Sequence, residues 1–133
     1  MREKILIVDD EKIIRMYLRM ILTDQGYDVI EAEDGREALL KLAAEGHVDI
    51  VVTDLRMPDI GGIELINLMQ EMEEYQNIPI IVISSILSES TRREVAQAPV
   101  MAWIEKPFRP GTLVKAISEA MGRRQTELSW ISA

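Results

Sequence analysis

At 133 residues, 47% hydrophobic and 29% charged, the chain has the length and composition of one ordinary soluble globular domain. Its net charge of −8 and scattered basic residues exclude the clustered positive patch of a nucleic-acid surface, and no apolar run approaches the roughly 20 residues that span a bilayer. The absence of cysteine excludes disulfides and thiolate metal sites and fits a cytoplasmic location, and the short apolar run after Met1-Arg2-Glu3-Lys4 is too brief for a signal peptide.

Lys4 to Val8 (KILIV) reads as a buried strand, and Glu11 to Gln25 as a helix closed by Gly26. In that helix Ile14, Leu18 and Ile21 form the core stripe. Ile13, Met16, Tyr17, Met20 and Leu22 exceed one stripe, so part of the excess faces outward. Asp28 to Ala32 is a second strand, and Asp34 caps a helix running to about Ala44. His47, the single histidine, falls in a turn-like stretch and is expected to be solvated. Asp49 to Thr53 is a third strand, followed by a helix from Gly62 to about Glu74 whose Met69 and Met72 read as core fillers.

Pro79 opens a fourth strand, Ile80 to Ile83. Thr91 and Glu94 have capping-box spacing for a helix ending near Ala98. That helix offers only Val95, Ala96 and Ala98 as apolar residues. A large buried aliphatic contributes about 1.5 to 3 kcal/mol, so this is the least firmly anchored element. Met101 to Glu105 is the fifth strand, and Thr112 to Met121 the last helix, with Pro110 near its start. Five βα units in strict alternation predict an α/β fold over residues 1–121: a doubly wound, five-stranded parallel sheet with five helices on both faces. Residues 122–133 (GRRQTELSWISA) lie outside the pattern and are expected to form a loose tail, whose Trp130 and Ile131 could pack on the body or on a partner.

Four of the five strands end in chemistry. Strand one leads into Asp9-Asp10, strand three into Asp54, strand four into Ser84-Ser85, strand five into Lys106-Pro107. Ligands of open α/β sheets bind outside the carboxyl ends of the strands, so three acids, a hydroxyl and an ammonium converge on one rim. Only strand two lacks such a residue, as a strand at the sheet edge would. Two carboxylates about 4 Å apart repel by about 4 kcal/mol at an effective dielectric of 20, so such a cluster binds a hard cation or takes up a proton. All-oxygen ligation suits Mg²⁺ and phosphate oxygens. An aspartate can then act as the nucleophile in phosphoryl transfer, and Asp54, alone at the end of a central strand, is the best candidate.

This ordered set resembles the receiver domain of two-component response regulators, over roughly Glu3 to Met121. The resemblance rests on Asp9-Asp10, Asp54 in TDLRMPDIGGIEL, Ser84 and the KPF of Lys106 to Phe108, with 30 residues from Asp54 to Ser84 and 22 from Ser84 to Lys106. It implies a flavodoxin-like strand order 2-1-3-4-5. It implies that Asp54 is the phospho-acceptor, served by a sensor histidine kinase or a histidine phosphotransfer protein. Mg²⁺ (or Mn²⁺) would be held by Asp10, Asp54 and the backbone carbonyl of Arg56, with Asp9 acting through water. Ser84 and Lys106 would contact the phosphoryl group, and the bond from Lys106 to Pro107 would be cis.

Trp103 stands where the family carries its switch aromatic, usually Tyr or Phe, and packing on the adjacent face is the plainer role for it. Arg56 and Ile86 stand where the family tunes phosphoryl lifetime. Ile14, Tyr17 and Pro107 are the phosphodonor contacts the resemblance suggests. Its output surface would be the fourth helix, fifth strand and fifth helix, through which dimerisation is common. Gln97 to Met101 departs from the family's usual entry to strand five, and Arg109-Pro110 replaces a common Asp-Pro, removing a helix cap.

The resulting expectation is a phosphorylation-controlled binding module and not an enzyme with an external substrate. Its partner downstream is either a separate protein or an output domain beyond Met121. A small Mg²⁺-dependent phosphatase of the haloacid-dehalogenase type would need Asp-x-Asp after strand one, where this chain has adjacent acids, and 133 residues leave no obvious cap. A receiver that binds partners without being phosphorylated is the third reading, and the complete set of acids, hydroxyl and lysine argues against it.

Overall fold

Strands dense in Ile and Val alternate with helices from Lys4 to Ala120. The computed structural model describes residues 2–57, 59–85 and 87–122. In chain order these form β1 (Lys4–Val8), α1 (Lys12–Asp24), β2 (Asp28–Ala32), α2 (Gly35–Glu45), β3 (Ile50–Thr53), α3 (Gly62–Gln70), β4 (Ile80–Ser84), α4 (Glu89–Glu94), β5 (Val100–Glu105) and α5 (Pro110–Ala120). The strands pair in parallel in the order β2-β1-β3-β4-β5, the doubly wound flavodoxin-like fold expected, with β2 at an edge. Ile86 and the residues after Gly122, including Trp130 and Ile131, lie outside the described residues. Among those described, no helix is long and apolar enough to cross a membrane.

Strand alternation sorts the core into two layers, because successive side chains leave opposite faces of the sheet. Ile5, Ile7, Val52, Ile81 and Ile83 pack with Leu18, Ile21 and Leu22 of α1 and Leu113 and Ile117 of α5. Leu6, Val8, Val51, Ile80 and Val82 pack with Ala38 and Leu42 of α2 and Leu65, Ile66 and Met69 of α3. Each sheet face is covered, which is what parallel strands apolar on both faces require. Ile14, expected in the core stripe of α1, is only half-buried at the margin of its cluster. Ile13, Met16 and Met20 carry the outward-facing excess of that helix.

Three boundaries differ from the sequence expectation by three residues or more, the others by one or two. The helix α3 stops at Gln70, four residues short of Glu74, and Met72 and Tyr75 continue as tight turns donating to Met69 and Met72. Met72 is therefore half-buried and not core. The helix α4 starts a turn earlier than the Thr91–Glu94 spacing suggests, because Ser88 is the cap: its Oγ accepts from the Thr91 N–H at 3.2 Å. It also ends at Glu94, not near Ala98: Val95 leaves the helical region, and the chain continues in tight turns in which the Ala96 N–H donates to the Arg93 carbonyl and the Ala98 N–H to the Val95 carbonyl. No residue inside α4 is buried; Val95, just past its end, is. Asp34 caps α2 as expected, accepting from the Glu37 N–H at 2.8 Å, and Arg109 opens α5 with no side-chain cap.

Candidate functional site

Register puts the rim residues at one level. Val8 pairs with Thr53, Thr53 with Val82, and Ser84 with Glu105, so Asp9, Asp54, Ser84 and Lys106 arrive together at the carboxyl ends of β1, β3, β4 and β5. Backbone bonds continue the ladder past the strand ends: the Asp54 N–H donates to the Val8 carbonyl and the Lys106 N–H to the Ser84 carbonyl, both at 2.9 Å. The winding reverses between β1 and β3, which places Asp9 and Asp54 on either side of the crevice where ligands of such sheets bind.

Both acids are buried, Asp9 at 1% exposure and Asp54 at 7%. Lys106 bridges them, its Nζ donating to Asp9 Oδ2 at 2.8 Å and to Asp54 Oδ2 at 3.0 Å, and lying 3.5 Å from Glu11 Oε1. The remaining oxygen of each acid is held by backbone: Asp9 Oδ1 accepts from the Glu11 N–H at 2.9 Å, and Asp54 Oδ1 from the Leu55 N–H at 2.6 Å and the Arg56 N–H at 3.4 Å. Burial pushes the Asp9 carboxyl above the usual aspartate range, with Asp54's charge adding; Lys106 and the Glu11 N–H offset this only in part. For Lys106, burial alone would lower the ammonium's pKa, but hydrogen bonds and charge from Asp9 and Asp54 prevail and raise it.

Asp10 is exposed and joins the group. One carboxylate oxygen each from Asp9, Asp10, Glu11 and Asp54 lies within 4.8 Å of the others, a donor set of hard oxygens suited to a divalent cation such as Mg²⁺. Glu11 belongs to this group although sequence reading took it only as the start of a helix; its place directly after Asp9-Asp10 was the available signal. Ser84 is fully buried at the end of β4.

The peptide bond between Lys106 and Pro107 is cis, as expected. Ile14, Tyr17 and Pro107 line one open groove beside the acids, with Glu11, Ser85, Lys106 and Phe108. The Tyr17 and Phe108 rings meet there at 5.7 Å between centroids. Trp103 is half-buried on the α2–α3 side of the sheet, where the Arg92 guanidinium of α4 lies 5.2 Å from its ring centroid. His47 sits at the surface, 2.8 Å from Asp49 Oδ1.

A buried acid pair bridged by a lysine, beside a group of carboxylates able to hold a cation at the switch point of a 2-1-3-4-5 sheet, is carried by a flavodoxin-like domain. The response regulator receiver domain family matches residues 5–118, and the chain belongs to that family. It is 32% identical over 120 residues to a chemotaxis protein CheY homolog of Campylobacter jejuni, covering 90% of this chain and 92% of that protein. It is 37% identical to the transcriptional regulatory protein ResD of Bacillus subtilis, covering 98% of this chain but 52% of that one. Against the CAI-1 autoinducer sensor kinase/phosphatase CqsS of Vibrio cholerae it is 35% identical, spanning only 17% of the larger protein. The chemotaxis protein CheY4 of Vibrio cholerae superposes with a TM-score of 0.84 at 32% identity, over 90% of this chain and 99% of that one.

Proposed function

We propose that this receiver accepts a phosphoryl group on Asp54 and uses it to switch its α4–β5–α5 surface between partners. The observation that carries the reading is the Lys106 bridge between Asp9 and Asp54 inside a four-carboxylate group. In the transfer, an Asp54 carboxylate oxygen forms the new bond to phosphorus while the bond from phosphorus to the donor's histidine nitrogen breaks, its electron pair staying on the imidazole. Asp10, Asp54 and the Arg56 backbone carbonyl would hold Mg²⁺ (or Mn²⁺), with Asp9 acting through water. Bound there, the cation supplies positive charge against the acids and the phosphoryl oxygens. Lys106 pairs with a second phosphoryl oxygen, and the Ser84 hydroxyl donates to a third.

The donor in this reading is a sensor histidine kinase or a histidine phosphotransfer protein, docking on Ile14, Tyr17 and Pro107 beside the acids. The module acts on no external substrate; its own phosphorylation and dephosphorylation are its only chemistry. A cytoplasmic location suits such partners. The output side is supported by α4, which has no buried residue and touches β5 through Arg92 and Trp103. Intact mass after incubation with acetyl phosphate tests the reading. A gain of one phosphoryl group that needs Mg²⁺ and is lost in Asp54→Asn is the expected result. No gain with acetyl phosphate or with a phosphorylated histidine donor would leave a partner-binding module that does not use phosphate.

A further inference from the structure

Strand β2 sends no side chain to the rim, yet it grips Asp9 from both sides. The Asp9 N–H donates to the Ala32 carbonyl of β2 at 3.1 Å. The Asp9 carbonyl accepts from Arg15 Nη1 at 2.7 Å, and the same guanidinium donates through Nε to Glu31 Oε1 of β2 at 3.2 Å. Arg15 lies in the first turn of α1 with its side chain only 11% exposed. Its neighbour Arg19 also pairs with Glu31 and donates to the Val29 carbonyl, but its side chain is 44% exposed.

The Asp9 carbonyl is half of the peptide unit that joins Asp9 to Asp10, and a peptide unit moves as one plane. Fixing its oxygen sets the last dihedral of Asp9 and the first of Asp10, and with them the directions in which both carboxylates leave the strand. The geometry points to Arg15 as a positioning residue of the acid site, its guanidinium fork fastening the Asp9–Asp10 peptide to Glu31. This rests on the reading of the acids as a Mg²⁺ and phosphoryl site. Arginine is required because two directed donors on one rigid plane reach two acceptors at once; a lysine offers a point charge on a flexible stem.

The sign of the effect separates positioning from charge. Removing a positive charge close to a cation site favours the cation by Coulomb's law. Loss of positioning weakens its binding instead. The experiment titrates Mg²⁺ calorimetrically into the wild-type chain, Arg15→Ala, Arg15→Lys and Arg19→Ala, with thermal melts and acetyl phosphate labelling rates on the same samples. Arg15→Ala is expected to weaken Mg²⁺ binding about tenfold, the loss usual when a group that orients a metal ligand is removed. Arg15→Lys is expected to weaken it by a smaller factor, while Arg19→Ala stays within about twofold of wild type, as an exposed ion pair should.

Equal weakening by the Arg15 and Arg19 variants would overturn the inference, as would Arg15→Ala binding Mg²⁺ at least as tightly as wild type. If Arg15→Ala does not fold, Arg15→Lys against Arg19→Ala makes the same comparison, and equality again overturns it. A wild-type chain that takes up neither Mg²⁺ nor phosphate would overturn the receiver chemistry itself, and this inference with it.

Discussion

Lys106 Nζ lies 3.0 Å from Asp54 Oδ2 although 52 residues separate the two in sequence, and the same ammonium reaches Asp9 Oδ2 at 2.8 Å. The lysine therefore acts as an internal counter-cation, standing where acids crowded by the fold would otherwise face one another. A divalent cation at the same acids would share that task, and the two should compensate.

Lys106→Met tests the compensation. Without metal the variant leaves two buried carboxylates with one partner fewer each, and a lost partner of a buried polar group costs about 1 to 3 kcal/mol. Mg²⁺ held by these acids, as proposed, would stabilise by binding the folded chain alone, and more so where the acids repel each other most. Urea unfolding with and without Mg²⁺ should show the deficit shrinking as metal is added. A deficit that Mg²⁺ leaves unchanged would show that these acids do not form a cation site.

Asp9→Asn should raise the stability of the metal-free chain near neutral pH, by roughly 0.5 to 2 kcal/mol, the range usual when a strained functional group is relieved. The Asp9 carboxyl is held above its ordinary range by burial, so it binds a proton more tightly folded than unfolded. Its destabilising effect is then full above the folded pKa and is relieved as pH falls through that value toward the ordinary range. The gain from Asn should accordingly shrink on acidification. A gain that grows on acidification would reverse the assigned direction.

The acids, hydroxyl and lysine were legible in sequence because each follows a short, largely apolar run of strand length, and parallel strands deliver their carboxyl ends to one rim whatever the details of packing. The helix ends were less legible. Ser88–Thr91 and Thr91–Glu94 both have cap spacing, and the chain uses the earlier pair. Arg15 was not legible at all as part of the site. Its role depends on Glu31, which lies on another element and becomes a neighbour only through the pairing of β1 with β2.

Gly62→Ala should damage both fold and site. A Cβ at this position would stand 2.8 Å from Leu55 Cα and closer still to the Asp54 carbonyl oxygen, and neither backbone atom can yield cheaply. Overpacking of this kind costs about 1 to 3 kcal/mol, and here the strain falls on the peptide of Asp54, the proposed acceptor. Gly111→Ala is the matched comparison: its Cβ meets nothing within 4 Å, and the substitution should gain roughly 0.4 to 1 kcal/mol. Thermal melts of the two should move in opposite directions, with the labelling rate falling only for Gly62→Ala.

The switch proposal requires α4 to open more easily than its neighbours. The helix α3 buries Leu65, Ile66 and Met69, whereas α4 buries nothing along its length and leans on β5 through the Arg92–Trp103 contact. An exposed cation–π pair contributes about 0.5 to 1 kcal/mol, which corresponds to roughly two- to fivefold in a local opening constant. Amide exchange in α4 should already be faster than in α3, and Arg92→Ala should speed it by about that factor while leaving α3 unchanged. If exchange in α4 is as slow as in α3 and Arg92→Ala does not move it, α4 is held by something other than this contact. The surface it forms with β5 would then lack the low local stability that a phosphorylation-driven shift needs.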